Sequence, residues 1–212
     1  MNERIRHILE EIKPSDCILD VGCVSNKQAA TVNDNWLHGA ICKKCPNVLG
    51  IDIETSGLSR LRRIGYNVRK IDCERMNLGS TFDIIIAGEL LEHLSNPGTF
   101  LEKVKKHLKP KGKFIISVPN AYCYYNILSI IFRSKVPIHE QHKCWYDTAT
   151  IKNLLKTHGF LVHKFKFLPI PNTGRGRLVS LILYHLGLRK LSAAGFLLVC
   201  QIRSHAPSYS KK

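Results

Sequence analysis

The stretch Cys17-Ile18-Leu19-Asp20-Val21-Gly22-Cys23 decides the fold of this 212-residue chain. Its apolar part, Ile18 to Val21, predicts a buried β-strand that a glycine ends. The carboxylate of Asp20 stands near the carboxyl end of that strand, where open α/β sheets bind ligands. Only the first glycine of a G-x-G-x-x-G turn is present, because Val24 and Lys27 occupy later positions. The turn therefore indicates a nucleotide-type site and argues against a dinucleotide, whose pyrophosphate needs those glycines.

Apolar runs alternate with helical patterns along the rest of the chain. This alternation predicts an α/β fold with a doubly wound parallel sheet. We find no internal linker, so we predict one domain over residues 1–212 with a loose tail at 204–212. Ser56 and Asp147 are predicted helix caps. Strands are predicted at 18–21, 48–53, 66–71, 82–87, 113–118, 160–167 and 196–202, and helices at 2–12, 36–45, 56–63, 97–108, 121–132, 147–157 and 178–186.

The charge of the chain is distributed unevenly. Residues 1–100 carry 12 lysines and arginines against 13 acidic residues, whereas residues 101–212 carry 20 against 3. A strongly basic half predicts an anionic partner: nucleic acid, a phosphorylated substrate or an anionic membrane surface. A basic surface that only aids solubility is the alternative.

The eight cysteines lack the spacing of a disulfide framework, which indicates reduced thiols in a cytoplasmic protein. Cys42-Lys-Lys-Cys45 is the only C-x-x-C pair, and a zinc site usually needs two such pairs. We therefore predict no metal site. The charged first residues contain no apolar run of the kind that a signal peptide needs.

Three predicted strands end in a carboxylate: Asp20, Asp52 and Asp72. In a parallel sheet these ends share one edge, and a carboxylate after the second strand usually accepts hydrogen bonds from a ribose diol. The pattern predicts a nucleoside-containing cofactor. The alternative is that the three carboxylates only cap their own loops. A P-loop and a serine-hydrolase elbow are excluded, because neither motif is present.

Six stretches stand in a fixed order: Ile18–Cys23, Gly50–Ile53, Ile71–Cys73, Phe82–Leu94, Leu108–Asn120 and His142–Phe160. In this order they resemble the motifs of class I S-adenosylmethionine-dependent methyltransferases, and the last one resembles the ubiquinone- and glycan-modifying branch. The resemblance covers nearly the whole chain. It implies a Rossmann-like, seven-stranded sheet that is mostly parallel with the last strand antiparallel and has helices on both faces. Residues 1–100 would form the cofactor half and residues 101–203 the basic, acceptor-side half.

The resemblance also implies S-adenosylmethionine as the cofactor and assigns its contacts. Asp20 would bind the amino group, Asp52 the ribose hydroxyls and Asp72 the adenine amino group. Val24 and Asn26 depart from the family pattern, which has glycines there. We expect a variant turn whose longer loop, extending to His38, closes over the methionine end. The implied cofactor-binding residues are Asp20, Gly22, Cys23, Asp52, Ile53, Asp72, Cys73, Glu89 and Leu90.

Methyl transfer needs an aligned acceptor and often a proton acceptor. His93 and His142 are the candidate catalytic residues, with His38 as a third possible base. The motifs that family members carry after the fourth strand for methylating exocyclic amines of bases, or for making 5-methylcytosine, are absent. We therefore predict transfer to an O or N atom of a small, glycan- or lipid-linked acceptor that is anionic. The alternatives are an RNA (tRNA) methyltransferase or RNA-binding protein, and a degenerate, non-catalytic cofactor-binding member.

Two apolar helices, 121–132 and 178–186, lie in the basic half beside lysines and arginines. An apolar face next to basic residues suits the surface of an anionic membrane, so a peripheral membrane location is one prediction. Simple packing of both helices on the sheet is the alternative. The RNA hypothesis uses the same charges together with stacking aromatics, namely Tyr122, Tyr124, Tyr125, Trp145 and Tyr146.

Overall fold

The computed structural model describes residues 2–24, 36–133, 140–170 and 175–203, and only the backbone of 175–177. Asn26, most of the predicted loop to His38 and the predicted tail at 204–212 lie outside these ranges. The strands are β1 (Ile18–Val21), β2 (Val48–Asp52), β3 (Val68–Lys70), β4 (Phe82–Gly88), β5 (Leu108–Pro119), β6 (Phe160–Pro169) and β7 (Ala193–Ile202). The helices are α1 (Glu3–Glu10), α2 (Leu37–Lys44), α3 (Thr55–Arg63), α4 (Pro97–His107), α5 (Tyr124–Arg133), α6 (Thr148–Thr157), α7 (Arg175–His185) and α8 (Arg189–Ser192).

All seven strands form one sheet in the order β3-β2-β1-β4-β5-β7-β6. The pairs from β3 to β5 are parallel, and β7 pairs antiparallel with both β5 and β6. The predicted Rossmann-like sheet with an antiparallel last strand is confirmed. β1 lies between β2 and β4, so the chain changes direction around it, and ligands of such sheets bind at this point.

Helices cover both faces of the sheet because the buried strands are apolar on both sides. Alternate residues of β1 point to opposite faces: Ile18 belongs to the core cluster that includes residues of α1 and α2, and Leu19 belongs to the cluster that includes residues of α4 and α6. Asp20 is two residues after Ile18 and therefore points toward α2. This alternation decides what Asp20 contacts.

Two predicted caps have different outcomes. Asp147 caps α6 in a reciprocal capping box with Thr150, as predicted. Ser56 does not cap α3; the carboxylate of Glu54 does, by accepting from the backbone N–H groups of Ser56 and Gly57. Glu54 has the longer side chain and reaches the first turn from one residue before the helix. The short helix α8 was not predicted, and β5 begins five residues earlier than expected.

Candidate active site

The turn after β1 is held by β2 and covered by the segment that follows β4. Gly22 has a φ of +80°, which favours glycine, and its N–H donates to the carbonyl oxygen of Ile51 at 2.9 Å. A Cβ at Gly22 would lie 3.2 Å from Cδ1 of Leu90. The turn therefore contacts the fourth-strand motif (Phe82–Leu94), as expected if both belong to one site.

Asp20 forms a buried pair with a histidine of α2. Its Oδ2 lies 2.8 Å from Nδ1 of His38, and the two side chains are 2% and 0% exposed. Burial alone would lower the pKa of His38, but the hydrogen bonds to Asp20 and Cys42 raise it to about 9. Gly50 in β2 leaves room for the ring, since a Cβ there would lie 2.6 Å from Cε1 of His38.

This pair changes two expectations from the sequence. His38 is wrong as a candidate base, because it is buried and both ring nitrogens are engaged. Its ring lies against Gly50 of β2, and most of the predicted loop lies outside the described residues, so closure over the methionine end stays a prediction. Asp20 has a partner of its own, so its predicted contact with the cofactor amino group stays a prediction.

Asp52 ends β2 and organises the backbone around it. Its Oδ2 accepts from the N–H of Val24 at 2.9 Å, and its Oδ1 accepts from the N–H groups of Ile53 and Glu54 at 2.7 and 3.0 Å. A carboxylate has about four acceptor positions, so three N–H donors leave capacity for a hydroxyl. Asp52 therefore performs the loop-capping role of the alternative interpretation and still fits a ribose.

Val24 stands where the family pattern has a glycine, and α3 accommodates it. A Cβ at Gly57 would clash with Cγ1 of Val24, so the valine side chain lies over the glycine. Val24 also packs with Leu58 and Trp36, while its N–H binds Asp52. The missing glycine of the turn is thus matched by a glycine on the facing helix.

We call the ends of β1, β2 and β3, with Asp20, Asp52 and Asp72, the cofactor edge. Its remaining residues lie at the ends of β2 and β3. Ile53 is 67% exposed although it is apolar, and it directly follows Asp52. Asp72 accepts from the N–H of Glu74 at 2.9 Å, and the adjacent Cys73 is buried. Burial raises the pKa of Cys73 to about 12, so its thiol stays neutral. An uncovered apolar side chain beside two carboxylates fits a nucleoside whose base covers the isoleucine and whose hydroxyls reach Asp52.

Glu89 directly follows β4 and has a strained backbone conformation, with a φ of +56°. Its N–H donates to the carbonyl oxygen of Ser117 at 2.9 Å and to Oγ of Ser117 at 3.2 Å. Arg4 of α1 reaches this point, where Nη1 donates to the Ser117 hydroxyl at 3.3 Å and lies 4.0 Å from Oε1 of Glu89. The site therefore contains a cation that the sequence did not assign.

A cavity of about 250 Å³ opens beside the fourth-strand motif. Backbone hydrogen bonds assemble it: the N–H groups of Lys143 and Cys144 donate to the carbonyl oxygen of Glu92, and Ala121 donates to Tyr146. The lining combines aromatic and polar side chains with an acid, a composition that suits an organic acceptor. The lining residues are Glu92, Pro119, Asn120, Ala121, Cys123, Tyr125, Asn126, His142, Cys144, Trp145, Tyr146, Ile170 and Ala194.

Glu92 is the unusual member of this lining. It is 1% exposed, and neither carboxylate oxygen has a hydrogen-bond partner among the described residues. Burial and the neighbouring Glu89 carboxylate raise the pKa of Glu92 to about 8. Native proteins rarely leave a buried carboxyl group unpaired, and such groups concentrate at functional sites.

The two predicted catalytic histidines come together next to Glu92. The rings of His93 and His142 meet edge to face with centroids 4.6 Å apart, and His142 lines the cavity. One ligand-type atom from each of Glu92, His93 and His142 lies within 4.8 Å of the others. The trio can relay a proton, and its donors are also of a kind that binds divalent cations, which the cysteine spacing did not indicate.

Sequence reasoning missed Arg4, Glu92 and the role of His38. The stretch Leu90-Leu91-Glu92-His93 shows that Glu92 follows the fourth strand, but nothing in that pattern predicts which of its side chains is buried. The contact of Arg4 joins α1 to the ends of β4 and β5, which are far apart in sequence. For His38, the signal was the alternation along β1, which turns Asp20 toward the helix layer.

Comparison with known protein families gives a match over most of the chain. Residues 1–164 match the family model described as a methyltransferase domain. This range includes both carboxylates at the ends of β2 and β3, the fourth-strand motif and the cavity segment up to α6.

Curated relatives match at lower coverage. The chain is 31% identical over 140 residues to a ubiquinone biosynthesis O-methyltransferase of Rickettsia bellii, covering 60% of this chain and 55% of that protein. It is 28% identical over 127 residues to the Colwellia psychrerythraea protein of the same name, covering 56% and 48%. The chain spans about half the length of the curated relatives it matches.

Solved structures share the fold. A SAM-dependent methyltransferase from Archaeoglobus fulgidus has a TM-score of 0.65 at 19% identity, covering 93% of this chain and 90% of that one. Magnesium protoporphyrin IX methyltransferase from Synechocystis, solved with bound SAH, has a TM-score of 0.63 at 15% identity, covering 95% and 80%. At these identities the likeness concerns the arrangement of the sheet and helices.

Proposed function

This chain belongs to the class I S-adenosylmethionine-dependent methyltransferase family, and we propose that it methylates an O or N atom of a small, lipid- or glycan-linked acceptor held in the cavity that Glu92 lines. The observation that carries this proposal is a nucleoside-type edge beside a cavity whose acid, Glu92, has no hydrogen-bond partner among the described residues. The curated relatives are named for O-methylation in ubiquinone biosynthesis, which favours a hydroxyl acceptor.

The cofactor edge would hold S-adenosylmethionine through groups of opposite character. Asp52 would accept the ribose hydroxyls, Asp72 the adenine amino group, and Ile53 would lie under the base. Gly22, Cys23, Cys73 and Leu90 would shape the remaining wall. When bound, the cofactor supplies a methyl group on a positively charged sulfur, which needs no further activation.

Arg4 and Glu89 would act at the methionine end of the cofactor. A guanidinium pairs well with a carboxylate, so Arg4 would bind the α-carboxylate. Glu89 is close enough to Arg4 to share this end of the site and would pair with the α-amino group. Asp20 would act from beneath, by holding His38 and with it the turn that includes Gly22.

The proton of the acceptor is the second requirement. Glu92 is the proposed proton acceptor, because its pKa of about 8 lies close to neutral pH, where a general base is most effective. His142 shares the cavity and would orient the acceptor or pass the proton on, with His93 packed on its ring. Water exclusion by Trp145, Tyr125 and Ile170 would strengthen these polar contacts.

An RNA acceptor is the second candidate, favoured by the basic residues of the second half. Tyr122, Tyr125 and Trp145 are exposed and could stack on bases. Tyr146 is buried, so it is wrong as a stacking group, and burial raises its pKa. A non-catalytic role is the remaining alternative.

Transfer of labelled methyl groups into cell extract tests the acceptor class directly. The extract is fractionated into lipid, glycan, RNA and protein, and the wild type is compared with Asp52→Asn and Glu92→Gln. We expect label in the lipid or glycan fraction, and loss of it in both variants. Label confined to RNA would establish the second candidate. Absence of transfer to any fraction, with the cofactor bound, would favour the non-catalytic role.

A further inference from the structure

Helix α5 exposes apolar side chains and buries a polar one, the reverse of a helix that packs on a sheet. The residue that it buries is Ser129, whereas four large apolar side chains of its second half are exposed and Ile127 is half-buried. A surface helix normally buries its apolar face and exposes its polar one. The exposed fractions are 44% for Leu128, 51% for Ile130, 64% for Ile131 and 78% for Phe132.

Helix α7 shows the same reversal. It buries Ser180, whose hydroxyl donates to the carbonyl oxygen of Ser192 at 2.6 Å. Its outward residues are apolar, and the turn to α8 continues the pattern. The exposed residues are Leu178, Val179, Leu181, Ile182, Tyr184, Leu186 and Leu188, at 41–68%. Two helices that bury serine and expose aliphatic side chains indicate a surface that is covered by a partner and does not face water.

Both helices adjoin the acceptor cavity. Asn120, which lines the cavity just before α5, donates from Nδ2 to the carbonyl oxygens of Lys190 and Ala193 at 2.7 and 2.8 Å. Ile170 and Ala194, on either side of the segment that contains α7 and α8, also line the cavity. The reversed helices therefore flank the place where the acceptor would enter.

The charge around these helices indicates which partner covers them. Residues 148–212 contain eleven lysines and arginines and no acidic residue. Arg133, Arg189 and Lys190 are exposed at the ends of α5 and on α8. A second copy of the chain would bring the same positive charge against this surface, whereas anionic lipid headgroups would neutralise it.

We propose that the outward faces of α5 and α7, with Arg133, Arg189 and Lys190, dock on an anionic lipid surface. Helices of ten and eleven residues are about 15–17 Å long, so they would lie in the plane of the interface. No helix in the described part of the chain is long and apolar enough to cross a membrane. The proposal goes beyond the proposed function, because it holds for any acceptor.

Vesicle flotation tests this proposal with the full chain. Vesicles that contain phosphatidylglycerol are compared with vesicles of phosphatidylcholine alone. We expect binding to the first kind only, and a loss of about tenfold or more for Ile131→Ser with Phe132→Ser. Ile64→Ser is the matched control, because Ile64 is 57% exposed directly after the distant helix α3. We expect it to bind as the wild type does.

The contribution of the basic residues to vesicle binding is tested in the same assay. Arg189→Glu with Lys190→Glu should weaken binding to the anionic vesicles, while Arg63→Glu, an exposed arginine of α3, should not. Equal binding to both kinds of vesicle, no binding to either, or equal losses in the controls would overturn the proposal. A dimer that Ile131→Ser dissociates would assign the surface to a second copy instead. Titration with S-adenosylhomocysteine, which these variants should leave unchanged, separates this outcome from failure of the proposed function.

Discussion

The cofactor edge and the acceptor cavity differ in how they treat their carboxylates. At the cofactor edge Asp20 is paired with His38, Asp52 accepts three backbone N–H groups, and Asp72 accepts one. In the cavity, Glu92 is buried without a hydrogen-bond partner among the described residues. The first region is held in shape by its own hydrogen bonds, while the described residues of the second offer Glu92 no hydrogen-bond partner. The difference separates a preformed binding edge from a reactive pocket.

Replacing Glu92 should produce the largest effect. Glu92→Gln keeps the shape of the side chain and removes the proton acceptor, so methyl transfer to the labelled fraction should fall by about 10²–10⁴-fold. Because the carboxylate form is the active one, the wild-type rate should rise with pH through about 8, and the variant should lose this rise. Glu102→Gln, which removes an ion-paired surface carboxylate on α4, is the control. A wild-type pH profile in Glu92→Gln would contradict the role.

The stability of the same variant provides a reading that needs no acceptor. Folding raises the pKa of Glu92 from 4.5 to about 8, so the folded state binds more protons between these values. The free energy of unfolding should therefore fall as pH rises from 4.5 to 8. Glu92→Gln should remove this fall and be more stable than the wild type at pH 8.5 in thermal melts. Repeating the transfer assay with EDTA separates a carboxylate that acts alone from one that acts through a bound cation.

The sequence predicted the positions of the carboxylates along the sheet edge, but it did not predict the cavity. The edge depends on strand ends, and strand order in a doubly wound sheet brings Asp20, Asp52 and Asp72 to one side. The cavity depends on how the segment from His142 to Tyr146 folds back onto Glu92, a contact between residues about 50 positions apart. Even at the edge, periodicity could place Asp20 on a face but could not supply His38 as its partner. Side-chain pairing across layers needs the tertiary structure.

Breaking the buried pair should cost stability more than any other change at the cofactor edge. Asp20→Ala leaves the His38 ring buried without its partner, and we expect a loss of about 3–5 kcal/mol in the free energy of unfolding. Folding raises the pKa of His38 from 6.5 to about 9, so this stabilisation is complete below pH 6.5 and disappears as pH rises through 9. Urea unfolding at pH 6 and pH 9.5 measures it.

A nearby aspartate provides the control for that experiment. Asp16→Asn changes a carboxylate whose Oδ2 caps the N–H of Lys13 at the surface, so its effect should be small and the same at both pH values. If Asp20→Ala and Asp16→Asn lose equal stability, the buried pair does not hold the turn.

Changes at the contact between Val24 and Gly57 should give the smallest loss of stability, and a double variant tests the contact directly. Gly57→Ala places a methyl group against Val24, which we expect to cost about 1–3 kcal/mol and to displace the N–H that binds Asp52. Gly57→Ala with Val24→Gly should cost less than the sum of the two single changes, because the second change removes the contact with Val24, while the contact of the new methyl group with the Glu54 carboxylate remains. Ser56→Ala, on the same turn of α3, controls for the helix. Thermal melts and S-adenosylhomocysteine affinity report both parts, and an additive double variant would rule out the compensation.

Calorimetric titration with S-adenosylhomocysteine tests the division between the two regions most directly. We expect the wild type to bind, Asp52→Asn to bind about 10–100-fold more weakly because hydrogen bonds to a charged acceptor are lost, and Glu92→Gln to bind as the wild type does. Absence of wild-type binding, or equal binding by Asp52→Asn, would show that the edge at β2 does not hold the cofactor.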